Sequence, residues 1–154
     1  MTLATATEQD LEFGRRVHHL AYREMVIRQF EEWDEVIADG FFERTWASHP
    51  HHIIHDDQNE RCGYCAVDRN GTEIILREIA ILPERQGIGI GTSVIQALIA
   101  EGDEEAIPVK LNVMQTNVRA RLLYERLGFR KSGGSDTHFQ MQRNHANKRM
   151  DSNG

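Results

Sequence analysis

The chain has 154 residues, 40% of them apolar, which is the size of one ordinary domain with enough apolar mass for a core. A formal net charge of -6 and a pI near 5.7 argue against general nucleic-acid binding, which wants a basic face. No apolar run approaches the roughly 20 residues of a membrane span, and the N-terminus does not read as a secretory signal, so a soluble cytoplasmic protein with no membrane partner is expected.

In chain order, residues 8 to about 28 read as an amphipathic helix. Leu11, Val17, Leu20, Tyr22, Met25 and Val26 recur at helical spacing, and Thr7 is a fair N-cap. A second helix is expected over 31 to 47, broken near Gly40. His51 to His55 reads as a short strand around Ile53 and Ile54, and residues 61 to 68 as another. Asp68-Arg69-Asn70-Gly71 is a turn, with Asn-Gly the strongest hairpin signal in the chain. Glu73 to Ile81 follows as a strand that ends at Pro83, because proline cannot donate to a ladder. After a glycine-rich loop, Thr92 to Glu101 is a helix with Val94, Ile95, Leu98 and Ile99 on one stripe. Pro108 to Val113 is a strand, and Asn117 to Leu127 a helix stopped by Gly128. Phe129 to Lys131 and Thr137 to Met141 form a final hairpin. This order predicts one α/β (α+β) domain over 1–143, with a mixed sheet of about six or seven strands and helices on both faces. Residues 144–154 read as a polar, disordered tail.

Two side-chain groups invite a metal or redox reading. Cys62 and Cys65 have C-x-x-C spacing, but two cysteines cannot fill a four-ligand zinc site. Three residues apart on a strand, they are expected on opposite faces, as buried small hydrophobes. His49, His51, His52 and His55 cluster ahead of Asp56 and Asp57, yet strand alternation splits them between faces. No metal is expected. From Glu8 to Arg44, ten acids stand against five arginines. Such a stretch can attract a cationic substrate, although a solvated helix face is the plainer reading for any one member.

The loop Gln86-Gly87-Ile88-Gly89-Ile90-Gly91 lies between a buried strand and a helix. The first N–H groups of that helix have no internal partner, and its dipole adds partial positive charge, so an anion site results. Glycines at 87, 89 and 91 allow positive φ and close approach to a phosphate. A P-loop needs Lys and then Ser or Thr after its last glycine, and no lysine is present. A G-x-G-x-x-G pattern needs glycine at 92 or 94, where Thr92 and Val94 stand.

Gln86-x-x-Gly89-x-Gly91 after Ile79-Ala80-Ile81-Leu82-Pro83 resembles the acyl-CoA loop of the GNAT superfamily of N-acetyltransferases. Asn117-x-x-Ala120-x-x-Leu123-Tyr124-x-x-Leu127-Gly128-Phe129 resembles that family's second coenzyme A segment. The close resemblance covers roughly residues 73 to 142. It implies that the backbone amides of Ile88, Gly89, Ile90, Gly91 and Thr92 hold the pyrophosphate of acetyl-CoA. It further implies that the backbone at Ile79, Ala80 and Ile81 pairs with the pantetheine arm. Arg85 and Gln86 flank the loop and are candidates to assist the phosphates, and Arg119 and Arg121 are candidates for the outer phosphate. Dimerisation is common in the family.

Acyl transfer to an amine needs a neutral amine, a donor for the developing oxyanion and a proton for the leaving thiolate. By the resemblance, Tyr124 donates that last proton. A core tyrosine is the alternative reading of its apolar stripe. Asn117 and Tyr124 lie two turns apart on one helix face, and Asn117 also reads as an N-cap. Glu78, beside the acyl site, is the first candidate for the base. His138 and Asp136 on the last strand are others, as is a water relay. Trp33, Asp34 and neighbouring acids, with His138, are candidates for the substrate side. The expected reaction is acetyl transfer to a small-molecule amine in a ternary complex. A protein N-terminus or lysine as acceptor, and a sensor without turnover, are the alternatives.

Overall fold

The structure is a computed structural model and describes residues 1–146. Seven strands form one sheet in the order β1-β2-β3-β4-β5-β7-β6. They are β1 Thr2–Thr5, β2 His51–His55, β3 Arg61–Arg69, β4 Ile74–Ile81, β5 Val109–Met114, β6 Arg130–Gly134 and β7 His138–Arg143. The α-helices are α1 Leu11–Phe30, α2 Glu35–Ser48, α3 Ile90–Glu105 and α4 Val118–Arg126. Every strand pair is antiparallel except β4–β5. The mixed α/β architecture is the one the element order predicted.

Two apolar layers sandwich the sheet. On one face Val94, Ile95 and Leu98 of α3 and Tyr124 of α4 pack on Ile74, Leu76, Leu111 and Val113. On the other, Val17 of α1 and Phe42 of α2 pack on Ile53, Tyr64 and Ala80. The stripe of apolar residues on α3 is what the helical spacing predicted.

Three expectations change. The strand β1 was not foreseen: all four of its residues are exposed, so it carries no alternating apolar signal and is held on the β2 edge by backbone pairing. The second helix starts at Glu35 and runs unbroken through Gly40. Its start is set by Asp34, whose Oδ1 accepts the N–H groups of Val36 and Ile37 at 2.9 and 3.1 Å. Cys62 and Cys65 do not lie on opposite faces. A bulge between Arg61 and Gly63 leaves Cys62 as the extra residue, which resets the alternation and puts both thiols in the same core layer. Part of the polar tail, 147–154, lies outside the described residues.

A second bulge governs the site. Ala66 pairs with Glu78 and Val67 with Leu76, so Arg77 is the extra residue on β4. β4 pairs with β5 only over Ile74–Leu76 and Val109–Leu111. Beyond that point neither the Arg77–Ile81 half of β4 nor the Asn112–Met114 half of β5 pairs with the other. The sheet therefore opens in its middle.

Candidate active site

A cavity of about 920 Å³ occupies this opening. Leu76 to Ile79 line it from β4 and Leu111 to Met114 from β5. His18 and Tyr22 of α1, Trp33 and Asp34 of the α1–α2 connection, Asn117 and Tyr124 of α4, and His138 of β7 complete the polar part of the wall. Val26, Phe30, Ile37 and Phe41 make an apolar side. Thus Glu78, Ile79, Asn117, Tyr124, Trp33, Asp34 and His138, scattered over 106 positions of the sequence, share one cavity.

Glu78 is buried, and burial pushes its carboxyl up to about 7, while the neighbouring Tyr64 hydroxyl pulls the other way. Its Oε2 has no hydrogen-bond partner, and Oε1 lies 3.6 Å from His18 Nε2. His18 is itself buried, and its pKa is lowered to about 4, first by burial and then by His19.

Tyr124 is placed by its own helix end. Gly128 sits at φ 97°, its N–H bonds to the Glu125 carbonyl, and Phe129 N–H reaches back to the Tyr124 carbonyl at 3.0 Å. This is a Schellman stop with its apolar contact, since the Tyr124 and Phe129 rings are 5.9 Å apart. The Leu-Gly-Phe run therefore fixes the tyrosine as well as ending the helix. Burial pushes the Tyr124 hydroxyl up to about 12, so it keeps its proton. At the other end of α4, Asn117 Oδ1 accepts Ala120 N–H at 3.2 Å, the cap foreseen from sequence.

The glycine loop lies outside the cavity wall. Gly89 (φ 92°) caps α3, and Gly87 also has positive φ. Gly91 does not, because α3 begins at Ile90 and includes it. The N–H groups of Ile90, Gly91 and Thr92 have no intrahelical acceptor, and the first turn of α3 holds no acid. A Cβ at Gly91 would meet nothing within 4 Å, so the approach to these amides is open. Arg119 Nη2 lies 3.5 Å from where a Gly87 Cβ would sit.

The flanking side chains have partners within the chain. Arg85 pairs with Asp56 and, at 2.6 Å, with Glu60, so it ties the loop to the β2–β3 connection. Gln86 donates Nε2–H to the Ile81 carbonyl at 2.9 Å, and Tyr22 donates its hydroxyl to the Ile79 carbonyl at 2.6 Å. Both carbonyls belong to the stretch of β4 expected to receive the pantetheine arm. Arg121 stacks over Phe139 at 5.5 Å and faces Glu125. Trp33 Nε1–H donates to Glu35 Oε2 at 2.7 Å, and His138 Nδ1 meets Thr137 Oγ1 at 2.7 Å.

Two members of the histidine cluster are engaged by partners within the chain. His49 Nδ1 pairs with Asp68 at 2.7 Å, and His51 Nδ1–H donates to the His49 carbonyl. Among the described residues the one set of three ligand-type groups close together is His19, Glu35 and Asp39, and Asp39 is already engaged by His19 and Arg15. His18 and Tyr22 were missed as site residues. Their signal was present: Leu11, His18 and Tyr22 sit at i, i+7 and i+11, one stripe of the amphipathic helix.

The sheet opens in its middle, the helix after β4 begins with free amides, and a buried carboxyl and a buried tyrosine line the cavity there. Residues 15–129 match the profile of the Acetyltransferase (GNAT) family, and the chain belongs to that family. It is 31% identical over 99 residues to a 5-NmdU N-acetyltransferase of Pseudomonas phage PaMx11; that match spans 64% of this chain and 66% of the relative, just short of two thirds of its length. The fold is similar to that of the PaiA N-acetyltransferase of Thermoplasma acidophilum in complex with coenzyme A (TM-score 0.71, 13% identity, 94% of this chain and 100% of that one). It is also similar to an acetyltransferase of Thermus thermophilus (TM-score 0.71, 19% identity, 93% and 96% covered). Among the described residues no helix is long and apolar enough to cross a membrane.

Proposed function

We propose that residues 1–143 form one acyltransferase domain that moves the acetyl group of acetyl-CoA directly to the amine of a small molecule, with both bound together. The observation that carries this is the sharing of one cavity by the Glu78 carboxyl and the Tyr124 hydroxyl. At about 920 Å³ the cavity suits an acyl arm plus a compact acceptor, within the usual range for small ligands. Its aromatic and aliphatic wall favours an amine on an apolar or flat body, with Glu32 and Asp34 at the wall to attract its positive charge. The phage relative is named for N-acetylation of 5-NmdU.

The thioester supplies an activated acetyl group. The free amides of Ile90, Gly91 and Thr92, with those of Ile88 and Gly89, would hold the pyrophosphate, and Arg119 is placed to assist. The backbone of Ile79 to Ile81 would hold the pantetheine arm, with Tyr22 and Gln86 releasing or sharing their carbonyls. Glu78, with proton affinity near neutrality, takes the proton of the amine as its nitrogen attacks the carbonyl carbon. A β4 amide facing the opening polarises the carbonyl oxygen. Tyr124, which stays protonated, gives its proton to the departing sulfur.

The test is an amine panel with acetyl-CoA, read by thiol release. Small amines are expected to turn over and basic peptides not. Turnover confined to peptide N-termini or lysines would reverse the assignment of the acceptor, and no release with any amine would remove the reaction.

A further inference from the structure

The bulge on β4 puts two side chains of opposite charge on one face of the sheet. Before it, Ile74 and Leu76 belong to the α3 layer; after it, Ala80 belongs to the α1–α2 layer. Alternation from Leu76 turns Arg77 toward α1 and α2, and the extra residue turns Glu78 the same way. Both line the cavity, and among the described residues Arg77 is the one lysine or arginine in its wall.

Arg77 is held from outside the cavity. Its Nε–H donates to Asp68 Oδ2 at 2.7 Å, and the same oxygen meets His49 Nδ1 at 2.7 Å. Asp68 does not line the cavity. The two terminal NH2 groups of the Arg77 guanidinium have no hydrogen-bond or ion-pair partner among the described residues. A guanidinium fixed along its Nε edge, with its terminal N–H groups unengaged, can grip a carboxylate through two parallel N–H···O bonds.

The α2 helix gives the scale. Asp34, Ile37, Phe41, Thr45 and His49 recur at three- and four-residue spacing and all line the cavity, as one stripe of the helix and its caps. Acid stands at the start of the stripe, apolar side chains in its middle, and His49, which shares Asp68 with Arg77, at its end. Glu78 is level with Phe41, because His18 touches both: its ring stacks on Phe41 at 6.1 Å and its Nε2 lies 3.6 Å from Glu78. From Phe41 to Thr45 and His49 is one to two turns, which sets the span from Glu78 to the anion site at about 6–12 Å.

We infer that the acceptor is an amine that also carries a carboxylate, bound with its nitrogen at Glu78 and its carboxylate on the Arg77 guanidinium. The inference rests on the acetyl-transfer reading of the cavity and deepens it by naming the substrate class. In an α-amino acid the nitrogen and the carboxyl carbon are only about 2.5 Å apart. The span at the site calls instead for an amino acid whose two charges are separated by a methylene chain or a ring, which would lie against Phe41. Asp34, at the opposite end of the stripe, repels a carboxylate there and so fixes the orientation.

Calorimetry with coenzyme A bound tests this, using ω-amino acids of increasing length and the alkylamine of each same length. In wild type the amino acid that matches the span should bind about tenfold to a hundredfold more tightly than its alkylamine, as a charge-assisted hydrogen-bonded pair contributes. Arg77→Gln should erase that difference, and Arg77→Lys, which keeps the charge but not the fork, should retain part of it. Each ratio is taken within one protein, so a general loss of stability does not imitate the effect. Equal or weaker binding of every amino acid, or a difference that survives Arg77→Gln, would overturn the inference. So would an Arg77→Gln variant that weakens coenzyme A instead. Thiol release from acetyl-CoA separates the acceptor class from the reaction. Turnover of alkylamines with no preference for their carboxylated counterparts would leave acetyl transfer standing and remove the anion site. Carboxylate-dependent binding with no thiol release would keep the site and remove the transfer.

Discussion

Glu78→Gln tests the site through stability as well as rate. In an unfolded chain this carboxyl titrates near 4.5, and in the folded protein burial raises it to about 7. Between those values the unfolded chain has lost the proton and the native state keeps it, so stability falls as pH rises and levels off above about 7. At about 1.4 kcal/mol per unit, the wild type loses about 3 kcal/mol across this window through Glu78. The glutamine variant cannot lose it. Other groups titrate alike in both proteins and cancel in the difference. Urea unfolding at pH 4, 6 and 8 should therefore show the variant gaining about 3 kcal/mol relative to wild type from pH 4 to pH 8, roughly 6–12 °C in Tm for a chain of this size. The same variant should lose about a hundredfold or more in kcat. A stability difference constant across pH would refute the burial argument; undiminished kcat would refute the role as base.

Wild-type kcat/KM should climb with pH through about 7 as Glu78 loses its proton, and pH profiles of thiol release would show a flat line if it did not. Tyr124→Phe should lower kcat about tenfold to a hundredfold with little change in KM for acetyl-CoA, because the hydroxyl acts on the departing sulfur. Gly91→Ala should weaken coenzyme A in calorimetry without loss of stability, since its backbone is helical and the space around it open; Gly89→Ala should also destabilise by about 1–3 kcal/mol through its φ of 92°. Arg119→Ala should weaken coenzyme A binding, more so at low salt, whereas Arg85→Ala should leave affinity unchanged and loosen the contact with Asp56 and Glu60.

Local patterns were legible because they follow from short-range geometry. The strand, the glycine loop and α3 follow one another within about 30 residues, and helix periodicity, Pro83, Gly128 and the Asn117 cap all act within a turn or two. Hence the α3 amides, the α4 face carrying Tyr124 and the position of Glu78 on β4 could be read from order and spacing. Three things could not. The strand β1 buries nothing and exists only because the β2 edge is there to pair with. The thiols of Cys62 and Cys65 share a layer because of a bulge, and a bulge depends on the register against a neighbouring strand. The bulge at Arg77 has the same origin. By parting β4 from β5 it turns a list of candidate residues into a cavity, and the packing of α1 on β4 sets His18 beside Glu78, two residues 60 positions apart that no local pattern connects.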